Sequence, residues 1–93
     1  MKFAIDTPPV FRRQAAKFFR QHPELEARFE AVVAALEVNP FDPSLRLHPL
    51  SGRHKGLHAV CLTYAYRIAL ILLVDERHIT LIDIGTHDEV YRR

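Results

Sequence analysis

The chain has one cysteine, one methionine, no tryptophan and only three glycines among its 93 residues. The single cysteine, Cys61, excludes an internal disulfide, and its place inside an apolar segment reads as a small buried thiol rather than a nucleophile. So few glycines leave no glycine-rich phosphate loop, which removes the common nucleotide-binding motifs. No apolar run approaches the ~18 residues that a membrane helix needs. The longest, residues 68–74, suits a buried strand. The first residues lack the apolar core of a secretory leader. A cytoplasmic chain without membrane partner, cofactor or metal is therefore expected.

Acid is missing from one stretch as well. Residues 44–58 contain Arg46, Arg53 and Lys55 with His48, His54 and His58, and no carboxylate. The chain as a whole is only mildly basic, with a formal net charge of +2. The cations are thus concentrated rather than abundant, and a segment of this kind attracts phosphate. The plainer alternative is a solvated loop.

What is present suits one domain over residues 1–93, of α+β class. Residues 2–6 fit a first strand. Thr7 before Pro8 and Pro9 predicts a helix start, with Phe11, Ala15, Phe18 and Phe19 at helical spacing. His22-Pro23 breaks that helix, because proline disfavours helical geometry in the residue before it. Leu25, Phe29, Val32, Val33 and Leu36 then form a second apolar stripe, ended by Asn39-Pro40. Residues 39–56 read as a long irregular connection. Strands are predicted over 57–63, 66–74 and 78–84, with Gly85 ending the last. Their short links predict an antiparallel meander. The helical hairpin should pack on one face of this small sheet, with a helical turn left at the C-terminus.

A last hairpin centred on Glu76 places Arg67 opposite Gly85, with Asp83 and His87 as diagonal neighbours. Arginine beside histidine at a strand end can serve a phosphate: one offsets charge on a pentavalent phosphorus, the other moves a proton. Tyr91, one helical turn after His87, can point the same way. The alternatives are an Arg67–Asp83 surface pair, a capping role for His87 and a sheet-edge role for Tyr91. His54 and His58 are spaced as metal ligands on a helix would be, but His58 begins a predicted strand and no carboxylate is near.

Four pieces in order resemble the RelE/ParE toxin superfamily. They are Leu47-His48-Pro49-Leu50-Ser51-Gly52, Lys55-Gly56, Tyr66-Arg67-Ile68 and Ile84-Gly85-Thr86-His87-Asp88-Glu89-Val90-Tyr91. The His-Pro-Leu, Lys-Gly and Gly-Thr-His pieces are similar to the YafQ branch, and Tyr-Arg and Glu-Val-Tyr to RelE. The resemblance implies a type II toxin silenced by a cognate acidic antitoxin in a hetero-oligomer. It also implies a ribosome-dependent mRNA interferase, in which the RNA 2′-hydroxyl attacks the adjacent phosphodiester without metal. On this likeness Arg67 stabilises the phosphorane, His87 is the general acid, His48 or His58 is the base, and Tyr91 orients or stacks on a base. Arg46, Arg53, His54 and Lys55 would hold phosphate. The chain departs from both branches. His58 and Val60 stand where RelE places two lysines, and Cys61 and Ala65 where YafQ places a histidine and an aspartate. The resemblance also covers ParE relatives, which inhibit gyrase without cutting RNA, and decayed toxins that only bind antitoxin.

Overall fold

The computed structural model describes residues 2–50 and 56–92. Strand β1 (Ala4–Asp6) leads into helix α1 (Pro9–Gln21). Pro9 occupies the first helical turn, where its missing N–H removes no helical bond. The helix begins one residue later than Thr7 suggests, with Pro8 at the cap and no side-chain capping bond. Phe11, Ala15 and Phe18 form its buried face. His22-Pro23 breaks the helix as expected, and a 3-10 turn (Pro23–Leu25) feeds helix α2 (Glu26–Val38). Val32 and Leu36 are the fully inward positions of α2, while Leu25, Phe29 and Val33 pack partly buried around them.

Residues 39–50 are more ordered than the sequence suggests. A 3-10 turn (Pro43–Leu45) is capped by Asp42, whose carboxylate accepts from the Ser44 N–H at 2.9 Å and the Ser44 hydroxyl at 2.8 Å. A two-residue strand β2 (His48–Pro49) follows. Strands β3 (His58–Cys61), β4 (Tyr66–Leu73) and β5 (His78–Thr86) complete the sheet, and helix α3 (His87–Arg92) ends the described chain. Gly85 does not end the last strand. It pairs inside β5, which runs on to Thr86.

The sheet order is β1-β5-β4-β3-β2. The three expected strands form the antiparallel meander, and β2 extends it at one edge. At the other edge β1 joins β5 in parallel, so the sheet is mixed. The helical hairpin separates β1 from β5 in sequence and supplies the crossover that a parallel pair requires.

Alternation along the strands gives the sheet two different faces. Val60, Ile68, Leu70, Leu81 and Ile84 pack with Phe11, Phe18, Val32 and Leu36 on the helical side. Leu36 and Leu70 are completely buried there. Truncating either to alanine would cost about 2–5 kcal/mol. The opposite face carries a smaller cluster of Leu50, Ala59, Ala69 and Val90, with Tyr91 against it. A bulge lies between the faces: Leu70 opposes Leu81 while Ala69 opposes Asp83, leaving Ile82 as the extra residue. Before the bulge Ile79 and Leu81 point to the helices, and after it Ile84 does.

Candidate active site

The small-cluster face collects the expected chemistry. Helix α3 is anchored there by buried Val90. Its start is fixed by a reciprocal capping box: the Thr86 N–H donates to Glu89 Oε1 at 2.8 Å, and the Glu89 N–H donates to Thr86 Oγ1 at 3.1 Å. This Thr-x-x-Glu signal stands in the sequence and went unused there. It makes His87 the first helical residue, so His87 and Tyr91 share a face one turn apart. Their ring centroids are 4.0 Å apart with the planes tilted by 33°. The His87 ring is more than half exposed, and its Nδ1 lies 3.7 Å from a carboxylate oxygen of Asp88. Both plainer expectations are also partly met, since Tyr91 covers the sheet and His87 opens a helix.

His48 reaches the same place from β2. Its Nδ1 lies 2.8 Å from the Arg46 carbonyl and its Nε2 2.6 Å from the Tyr91 hydroxyl. A carbonyl only accepts, so Nδ1 carries the proton. In the neutral ring Nε2 is then the lone-pair nitrogen, and the Tyr91 O–H donates to it. Arg46 holds its carbonyl in this position with a left-handed backbone, φ 53°. A non-glycine residue there stores of order 1 kcal/mol of strain. The turn capped by Asp42 delivers the chain into that conformation. The Ser44 N–H at the Asp42 carboxylate is the main reason its acidity is raised, with pKa below the usual carboxylate value; the Ser44 hydroxyl adds to this.

Arg67 sits opposite Gly85 on β5 and Cys61 on β3, on the same face as Ala59, Ala69 and His48. The Arg67–Gly85 pair is the expected one, but the hairpin is not centred on Glu76: Leu73 pairs with His78 near the turn, and the bulge at Ile82 shifts the register to bring Gly85 opposite Arg67. The alternative pair with Asp83 is not formed, although Asp83, opposite Ala69, holds the expected diagonal position. The Arg67 Nη1 instead donates to the carbonyls of Thr63, Tyr64 and Tyr66 at 2.9, 2.9 and 3.1 Å, closing the β3–β4 turn on itself. Its Nη2 and Nε remain available. His48 and Arg67 are offset by two strand spacings, roughly 10 Å, across the sheet.

His58 is not brought to this group. It opposes Leu70, a residue of the helical core, and so points through the other face of the sheet from His48. Its Nδ1 is buried without a hydrogen-bond partner among the described residues. Positions 58 and 59 face opposite ways, and the pairing of Ala59 with His48 decides which of them meets the site. Arg46 is exposed beside the site. Arg53, His54 and Lys55 lie outside the described residues.

Below this group Arg28, Arg46 and Arg67 line a cavity of about 300 Å³ with Cys61 and Tyr64. Arg28 and Tyr64 were not singled out by the sequence; no spacing signal connects a residue of α2 to a turn 36 positions later.

Comparison with known proteins places the fold. No family model and no curated protein matches the sequence. Among solved structures, YafQ from E. coli strain BL21(DE3) superposes with a TM-score of 0.77 at 15% identity, over 96% of this chain and 98% of that one. The toxin in the E. coli DinJ-YafQ toxin-antitoxin complex gives 0.76 at 15% identity, over 98% and 99%. A YoeB/ParE toxin from Agrobacterium tumefaciens gives 0.72 at 14% identity, over 91% and 99%. These likenesses extend over nearly the whole length of both partners, and what is shared is the arrangement of helices and strands.

Proposed function

We propose that this chain, whose fold is that of the RelE/ParE toxins, is the toxin of a type II toxin-antitoxin pair and cuts mRNA on the ribosome. The observation that carries the reading is the convergence of His48, Tyr91 and His87, from two separate elements, on the face that also bears Arg67. In the proposed reaction the RNA 2′-hydroxyl attacks the adjacent phosphorus. Its proton passes to Nε2 of His48, directly or through the Tyr91 hydroxyl. The free N–H groups of Arg67 offset charge on the pentavalent phosphorus. Protonated His87, exposed beside Asp88, gives a proton to the departing 5′-oxygen. The bond formed is 2′-O–P and the bond broken is P–5′-O, leaving a 2′,3′-cyclic phosphate and a 5′-hydroxyl. His48 replaces His58 as the base, because only His48 is on the reacting face.

A cognate antitoxin is the second element of the proposal. An apolar groove between α1 and α2 is floored by Phe11, Phe19 and Phe29 and edged by Arg12 and Arg20 on one side and Glu26 and Glu30 on the other. Its floor suits the apolar face of an amphipathic helix. The test is purified chain added to a translating system, with the reporter mRNA ends mapped. Translation-dependent cleavage is expected; intact mRNA at high toxin concentration would refute the reaction. A gyrase supercoiling assay run in parallel detects ParE-like inhibition instead.

A further inference from the structure

Three guanidinium groups bound the cavity beside the candidate active site, and among the described residues no carboxylate lines it. Each comes from a different element: Arg28 from α2, Arg46 from the turn before β2, and Arg67 from β4. Two are held in place. The Arg28 Nε donates to the Leu62 carbonyl at 3.0 Å, and the Arg67 Nη1 is fixed by its turn carbonyls. Their other N–H groups, and the whole guanidinium of Arg46, have no acceptor among the described residues. Three like charges brought together around open space repel one another unless an anion joins them. Asp42, the acid nearest Arg46 in sequence, is engaged by the N–H and hydroxyl of Ser44, and Glu26 and Glu30, which flank Arg28 on α2, do not line the cavity. On the rim Tyr64 is 97% exposed, a ring presented to solvent at the tip of a turn.

We infer that this cavity binds a backbone phosphate of single-stranded RNA next to the one that is cut, while the Tyr64 ring stacks on the adjoining base. The inference rests on the RNA-cleaving reading and deepens it. Arg67 would bridge the two phosphates, with its Nη1 side built into the turn and its remaining donors facing the groove. A fixed fork suits a planar two-point bond to phosphate, and an exposed aromatic ring accepts any base because every base has a flat face.

Binding is separable from cutting by using a short single-stranded 2′-deoxy oligonucleotide, which lacks the attacking hydroxyl. Fluorescence anisotropy with this probe should show Tyr64→Ala weakening binding by about 5- to 100-fold, the range that base stacking supplies. Arg28→Gln should weaken it and lower the slope of log affinity against log salt by about 0.7, one phosphate contact on a single strand. Cys61, the sole thiol of the chain, is half-buried rather than the fully buried thiol that its apolar segment suggests; it lines the cavity and reports occupancy directly, since its alkylation by iodoacetamide should slow when the oligonucleotide is bound. Unchanged affinity in Tyr64→Ala overturns the inference, and that variant disturbs no packing even if Arg28→Gln fails to fold. Unprotected Cys61 at saturating oligonucleotide also overturns it. So does protection by an acidic partner protein but not by the oligonucleotide, which would make this a protein-docking surface. A chain that binds at the cavity yet leaves mRNA intact keeps the inference and defeats the proposed reaction instead.

Discussion

The Tyr91 hydroxyl donates to Nε2 of His48 at 2.6 Å, across 43 positions of sequence. The opposite nitrogen of the ring is fixed on the Arg46 carbonyl, so the histidine is oriented at both ends before any substrate arrives. Replacing His48 with Gln should lower the cleavage rate by about 10²-fold or more, the usual contribution of acid–base catalysis. Tyr91→Phe keeps the ring stacked on His87 but removes the O–H, and should have a smaller effect. Single-turnover rates of both variants decide the matter; His48→Gln cutting at the wild-type rate would exclude it as the base.

His87→Ala should also slow cleavage by about 10²-fold or more. Its ring is largely exposed and bounded mainly by Tyr91, so the melting temperature should hardly move. Rate and melting temperature measured on the same preparation separate the two roles. Loss of fold would show that His87 serves only to start α3.

Arg67 should behave differently, because its guanidinium is part of the β3–β4 turn. Arg67→Ala should reduce both cleavage and stability, the latter by about 1–3 kcal/mol, as hydrogen bonds from a charged donor are lost. Urea unfolding provides the number. Lysine cannot reproduce the fork and should recover little of either property.

His58 was a candidate base by sequence, and its place in the fold reverses that expectation. His58→Leu should leave cleavage unchanged. It should raise stability by about 1 kcal/mol, because a buried nitrogen without a partner is replaced by an apolar group. Thermal unfolding would show this as a higher melting temperature. A His58→Leu variant that folds and does not cut would return His58 to the mechanism.

Asp42 offers a test by pH. Its folded pKa is depressed, so its contribution to stability is present above the ordinary carboxylate value and lost as pH falls through the lowered one. Asp42→Ala should therefore melt below wild type at neutral pH, and the gap should close in strong acid. A gap independent of pH would mean that the carboxylate charge is not what caps the turn.

The helices and the meander were legible because each rests on a local signal, whereas the Arg67–Gly85 pair, reached from a hairpin centred on Glu76, holds only because the bulge at Ile82 makes up a one-residue difference. Proline marks the helix ends, spacing marks the apolar stripes, and link length sets the hairpins. His87 and Tyr91 were legible together because helical spacing is rigid. His48 was visible only through the family resemblance, since its contact with Tyr91 depends on a two-residue strand that no periodicity can announce. Arg28 was invisible for a related reason: helix α2 reaches the Leu62 carbonyl only after the tertiary fold has formed. The side that His58 takes was not legible either, because it rests on the pairing of Ala59 with His48 and of Cys61 with Arg67, which no local signal sets.

The bulge at Ile82 acts as a change of parity. Odd-numbered residues of β5 face the helices before it and even-numbered ones after it, so one inserted residue decides which side chains meet the solvent groove. If the strand ran straight with Ile82 paired opposite Ala69, the downstream chain would slip by one, turning Asp83 toward the helices and Ile84 out of the core; removing Ile82 itself would leave both where they are. The face of the candidate site is thus set in a different reading frame from the first half of β5, and the bulge at Ile82 is what lets Ile84 stay in the core.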